Sequence, residues 1–125
     1  EKVAIDEMIN ARIRMAMWAF DQADLFGKSA AKVEYYKMSY DFYQDALASI
    51  KGRIPTNWYK NTALIYPKLF SLGETSKGSY AETADFFEKY LEFSQKYNEP
   101  IDDRKQVEEA VRSIRHYLEN QNKSV

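Results

Sequence analysis

The sequence predicts an all-α fold of about five helices, arranged as two antiparallel helical hairpins and a C-terminal packing helix. Three observations carry this. Apolar residues recur at steps of three and four along the whole chain, and no stretch alternates with period two for long enough to argue a strand. Turn residues fall between the periodic stretches, with Pro67 the exception. The chain has 125 residues, 45% apolar and 15% aromatic, which suits one domain with a real core and excludes a disordered chain.

The first helix is expected over about 2–26. Ile5, Ile9, Ile13, Ala16, Phe20 and Ala23 form one stripe, and Ala4, Met8, Ala11, Met15 and Trp18 form a second beside it. Two adjacent stripes make a wide apolar face, suited to touching two neighbours rather than one. Gly27 is placed to end the helix as a C′ residue in the left-handed region. Ser29 can cap a second helix over about 29–51, with Val33, Tyr36, Tyr40, Tyr43, Leu47 and Ile50 on its stripe and Tyr35, Met38 and Phe42 alongside. The short connection makes 2–51 a hairpin.

Thr56 can cap a third helix carrying Trp58, Ala63, Leu64, Leu69, Phe70 and Leu72. Pro67 lacks an N–H and predicts a kink there or a split into two short helices. Residues 73–78 read as a loop. Ser79 and Glu82 form a capping box for a fourth helix over about 79–97, so that 56–97 is the second hairpin. Beyond Pro100, Asp102 or Asp103 opens a terminal helix, 102–120, whose single narrow face is Val107, Ala110, Val111, Ile114, Tyr117 and Leu118. The polar tail 121–125 is expected to fray. Together 1–121 reads as one helical domain.

Laid on itself at an offset of 51, the chain repeats a pattern. Gly27 falls on Gly78, Ala30 on Ala81, Glu34 on Asp85, Tyr35 on Phe86, Tyr36 on Phe87, Tyr40 on Leu91 and Phe42 on Phe93. The physical sense is a turn glycine, a small residue for close helix approach, and paired rings filling the gap between helices. Gly78, Tyr80, Phe86, Phe87, Glu88, Lys89 and Leu91 resemble the second half of a tetratricopeptide (TPR) repeat. Thr83, bulky Tyr90 and the 51-residue spacing depart from that pattern. The first hairpin, with Ala19, Asp24, Gly27, Val33, Glu34, Tyr35 and Tyr36, is distantly similar to microtubule-interacting-and-trafficking (MIT) hairpins. Both resemblances imply helical hairpins that grip peptides or helices.

Several chemistries drop out. There is no cysteine, so disulfides, thiol catalysis and thiolate metal sites are excluded; His116 is the only histidine, which is too few for a two-histidine metal site and does not by itself make a triad. The glycines form no phosphate loop. Arg112, Arg115 and His116 make a basic spot, in which Arg112 and His116, four apart, faintly resemble the Arg…His pair of HEPN-type ribonucleases at too short a spacing. The paired acids Asp6 and Glu7, and Asp21 and Asp24, read as solvated faces. No enzyme, metal or cofactor is expected.

Lys plus Arg number 18 against 19 acids, which excludes an overall basic nucleic-acid binder. Arg53, Trp58, Tyr59, Lys60, Tyr66 and Lys68 still mix basic and aromatic residues in a way that suits single strands. No apolar run is long enough to span a membrane. Opening on Glu1 rather than Met, the sequence reads as a processed or excised piece; its compartment stays open, with the cytoplasm favoured.

The ten tyrosines are the one compositional excess. Since a buried tyrosine must satisfy its hydroxyl, some are expected on a groove or rim. Tyr35, Tyr43, Trp58, Tyr59, Tyr66 and Tyr97 are the candidates for partly exposed, partner-binding positions. The function this predicts is a protein–protein interaction module, an adaptor taking a peptide or amphipathic helix. The alternatives are a structural, self-associating domain and a nucleic-acid-binding or HEPN-like one.

Overall fold

The computed structural model describes residues 2–27 and 29–123, with side chains described for 6–27 and 29–121. Five helices follow in order: α1 (Lys2–Leu25), α2 (Ala30–Ser49), α3 (Thr56–Ser71), α4 (Tyr80–Lys96) and α5 (Arg104–Lys123). No strand occurs among the described residues. The all-α expectation holds, with every helix within a few residues of its expected bounds. The side chains of Ala4 and Ile5, counted in the stripes of the first helix, lie outside the described ones.

The helix ends follow from local chemistry. Ser29 caps α2 by accepting from the Lys32 N–H at 3.4 Å, and Ser79 caps α4 by accepting from the Glu82 N–H at 3.1 Å. α3 ends in a Schellman motif: Gly73, at φ 85°, donates to Phe70 O while Glu74 donates to Leu69 O at 2.9 Å. α4 ends the same way around Asn98, at φ 54°, with Glu99 donating to Ser94 O at 2.8 Å. Asparagine tolerates the left-handed region better than most residues, which makes this substitute for glycine workable.

Two expectations need correction. Gly27 does not take a positive φ, so α1 ends without the left-handed glycine expected there. Of the kink or split expected at Pro67, the split is overturned: α3 runs past it as one helix, lacking the N–H that would have bonded Ala63 O. α5 itself continues to Lys123, three residues beyond the expected bound at 120. Side-chain pairs one turn apart support this last stretch, with the Gln121 amide donating to Tyr117 Oη at 2.7 Å and Asn120 beside His116 at 3.1 Å. Residues 124 and 125 lie outside the described ones.

The chain forms two compact units, 1–54 with 68–74, and 55–67 with 75–125. In the first, α1 and α2 pack as an antiparallel hairpin. Ala16, Ala19, Ala23, Ser39 and Ala46 are fully buried between them, and these small residues let the helices approach closely. The Ser39 hydroxyl donates to Ala16 O at 2.6 Å across the seam. Tyr36 is buried beside them and its hydroxyl donates to the Asp24 carboxylate. Burial, then the hydrogen bond to Asp24, then the carboxylate charge push its phenol well above the ordinary tyrosine value.

In the second unit, rings from α3 and α4 make the core. Trp58 and Tyr59 lie 5.6 and 5.9 Å from Phe86, and Tyr59 lies 5.5 Å from Phe93. Tyr66 packs over Gly78. α5 docks through buried Val107, and Arg115 reaches both Asp85 and Glu88 of α4 at 2.7 and 3.0 Å.

Asp103, just before α5, ties the unit together. It accepts from Lys60 of α3 at 2.8 Å and from the Tyr90 hydroxyl of α4 at 2.7 Å. Burial alone would raise its pKa, but the hydrogen bonds from Lys60 and Tyr90 and the Lys60 charge outweigh it and hold the carboxyl below its ordinary value. A carboxyl depressed in the folded state stabilises fully above its unfolded pKa of about 3.9, and that stabilisation is lost as pH falls through the folded value. The thermal midpoint of this unit should therefore drop as pH falls below about 4, and Asp103→Asn should flatten that part of the profile. Parallel acid profiles for the two proteins would show that Asp103 carries no such linkage.

Candidate functional site

The α1/α2 hairpin has two long edges, and the first unit covers only one of them. On the covered edge, residues 68–74 follow the hairpin. Lys68 pairs with Asp24 at 3.9 Å and sits 6.0 Å over the Phe20 ring, Glu74 lies 4.0 Å from Lys37, and Leu69 is fully buried.

On the other edge the helix period brings Met8, Met15 and Trp18 of α1 beside Tyr35, Met38 and Phe42 of α2. Trp18 is 51% exposed, Met15 48%, Met8 42% and Met38 40%. Tyr35 and Phe42 are half-buried. Ala19 and Ala46 form the floor between the helices. At one end Tyr35 meets Trp18 edge-on at 5.9 Å and stacks on Phe26 at 5.4 Å. At the other, Arg12 Nη1 donates to Ser49 Oγ at 2.7 Å. The result is an apolar groove along two helices with a small-residue floor. Single exposed apolar residues are ordinary on a protein surface, and it is their alignment along one edge that makes this strip the candidate site.

The six positions picked from sequence fare unevenly. Tyr35 lies in this strip and Tyr97 is exposed at the end of α4, 6.1 Å from Phe93. Tyr43, Trp58, Tyr59 and Tyr66 are buried, which corrects their expected exposure. The reason is physical. Tyr43 faces the hairpin seam, and the other three stack on α4 rings in the second unit's core. Sequence reasoning passed over Met8, Met15 and Met38 as candidates. The available signal was the second stripe of α1, read as contact with a further neighbour.

The remaining chemistry is dispersed. No group of three or more metal-ligating side chains occurs among the described residues, and no described helix is long and apolar enough to cross a membrane. His116 is exposed beside Asn120, and Arg115 of the basic spot is committed to two carboxylates. Burial of Trp58, Tyr59 and Tyr66 hides the rings that a single strand would stack on, and Lys60 is paired with Asp103. An open cleft of about 470 Å³ lies beside that pair, lined by Asn57, Lys60, Tyr90, Pro100, Ile101 and Asp102. Lys60 already has its counter-charge there, so the cleft offers no unneutralised cation. Thr62 Oγ1 is buried without a hydrogen-bond partner inside α3, away from any charged cluster. Scanned against protein-family models, curated proteins and solved structures, the chain has no match.

Proposed function

We propose that the protein is an interaction module whose docking face is the open edge of the α1/α2 hairpin, and that it takes an amphipathic helix of a partner protein. The observation that carries this reading is the exposed strip of Met8, Met15, Trp18 and Met38 along an edge that residues 68–74 leave uncovered. A helix laid there would bury its own apolar face at i, i+3, i+4 and i+7 against both α1 and α2, the helix-in-groove mode of recognition. Trp18 and Tyr35 supply the large aromatic anchors that dominate such interfaces. The likeness of the hairpins to TPR and MIT hairpins points the same way.

The test uses a photo-reactive residue in place of Met15, which is 48% exposed within the strip on α1. Partners should cross-link to α1, and Trp18→Glu should abolish capture while leaving the helical circular dichroism intact, because that side chain is half in solvent. Capture that survives Trp18→Glu, or that maps to the second unit, would overturn the assignment of this face.

A further inference from the structure

The chemistry of the occupant can be read from the edge itself. The chain has four methionines, Met8, Met15, Met17 and Met38; all lie in the hairpin and all are 40–49% exposed. Methionine is ordinarily among the buried residues, and when exposed it gives a polarizable, unbranched surface that adapts to differently shaped side chains. The charges around the groove are sorted. On α2, Glu34, Met38, Asp41 and Asp45 recur at i, i+4, i+7 and i+11, forming one exposed stripe with acids on either side of the methionine. On α1, exposed Glu7 and Asp21 flank Arg14 at seven-residue steps.

Three cations of the hairpin, Lys32, Arg12 and Lys37, are held by groups of the first unit itself. Lys32 donates to the carbonyls of Ala23 and Phe26, both at 3.1 Å, and Arg12 is held by Ser49. Lys37 lies between Glu34 at 3.7 Å and Glu74 at 4.0 Å. Among the described residues, both rims therefore present more acid than base to an incoming helix. A second copy of this hairpin would bring acid against acid, which disfavours it as the occupant.

From this arrangement we infer that the occupant is a basic amphipathic helix, with aliphatic or aromatic anchors against the methionines and lysine or arginine on its flanks facing Asp41 and Asp45. This inference rests on the docking reading above and adds the partner's charge to it. Methionine plasticity makes the anchor sequence permissive, so the rims carry the selectivity.

The experiment titrates the whole chain with three synthetic peptides: a leucine-faced helix with lysines on its polar side, the same helix with glutamates, and a lysine peptide of scrambled order without an apolar face. Trp18 reports occupancy by a blue shift, over the constant background of Trp58, which is only 3% exposed. The lysine helix should bind, weaken as salt rises, and exceed the glutamate helix by about tenfold or more. Asp41→Lys with Asp45→Lys should remove about tenfold of that affinity and most of the preference.

Equal, salt-independent binding of both helices would overturn the inference and leave the docking reading standing. Equal binding of the scrambled peptide would also overturn it, since bulk charge would then suffice. A concentration-dependent mass that Trp18→Glu abolishes would replace the basic helix with a second copy on the same face. A monomeric chain that binds none of the peptides would sink both the inference and the reading beneath it.

Discussion

Replacing Gly78 by alanine should lower the unfolding free energy by about 4 kcal/mol, the sum of two costs of roughly 1–3 kcal/mol each. The first is backbone strain: Gly78 sits at φ 143°, where side chains with a Cβ rarely go. The second is a collision. A Cβ at this position would lie 2.5 Å from Tyr66 Cε1 and 2.8 Å from Cδ1. That ring cannot step aside, because Tyr66 is 2% exposed and packs near Phe86 within the second unit. Gly73 separates the two costs, since it is at positive φ with open space around it, and Gly73→Ala should show the strain alone. Gly27 has neither, so Gly27→Ala should be close to neutral. Urea titrations of the three variants check the order. A Gly78→Ala loss no larger than that of Gly27→Ala would mean the turn relaxes freely and Tyr66 is not held.

The same pair of glycines shows how far the sequence could be read. Gly27 and Gly78 align at the 51-residue offset, yet one ends a helix without a positive φ and the other holds a strained turn under a ring. Sequence marks both as punctuation; only the packing of Tyr66 distinguishes them. Helix starts were legible where a serine side chain alone makes the cap, as at Ser29 and Ser79. The end of α5 was not, because polar composition conceals pairs such as Tyr117 with Gln121 that form only once the helix exists.

The binding face was half legible, for a related reason. An excess of tyrosines predicts exposed rings only if their hydroxyls have no internal partner. Tyr36 and Tyr90 defeat that assumption by donating to Asp24 and Asp103, 12 and 13 residues away along the chain. Four of the six aromatic candidates were lost to the core in this way or by stacking. Methionines, by contrast, read as core filler at helical spacing, and nothing local says that Met8, Met15 and Met38 share an uncovered edge. What was readable was the width of the first helix's apolar face. The structure uses one half of that face against α2 and leaves the other half in solvent.

Phe87→Ala should cost about 3–5 kcal/mol, as expected for emptying a buried aromatic site. The offset of 51 pairs Phe87 with Tyr36 and Phe86 with Tyr35, and burial agrees with that pairing: Phe87 and Tyr36 are 5% and 0% exposed, while Phe86 and Tyr35 are both half-buried. The next two matches agree as well, Ser39 with Tyr90 and Tyr43 with Ser94, all buried. Large and small residues thus trade places at matched positions, so that α2 and α4 keep one burial pattern with different side chains. The serine caps, however, are 50 residues apart, so α4 enters its helix one residue earlier relative to its buried face. Trp18→Ala is the contrasting variant. Its ring is half exposed and meets only the edge of Tyr35 among the described ring pairs, so its loss should cost about 1 kcal/mol. A Phe87→Ala cost below about 1 kcal/mol would place this ring in solvent and break the registration of the repeat. A Trp18→Ala cost as large as that expected for Phe87 would make the open edge part of the core, leaving no face there for a partner helix.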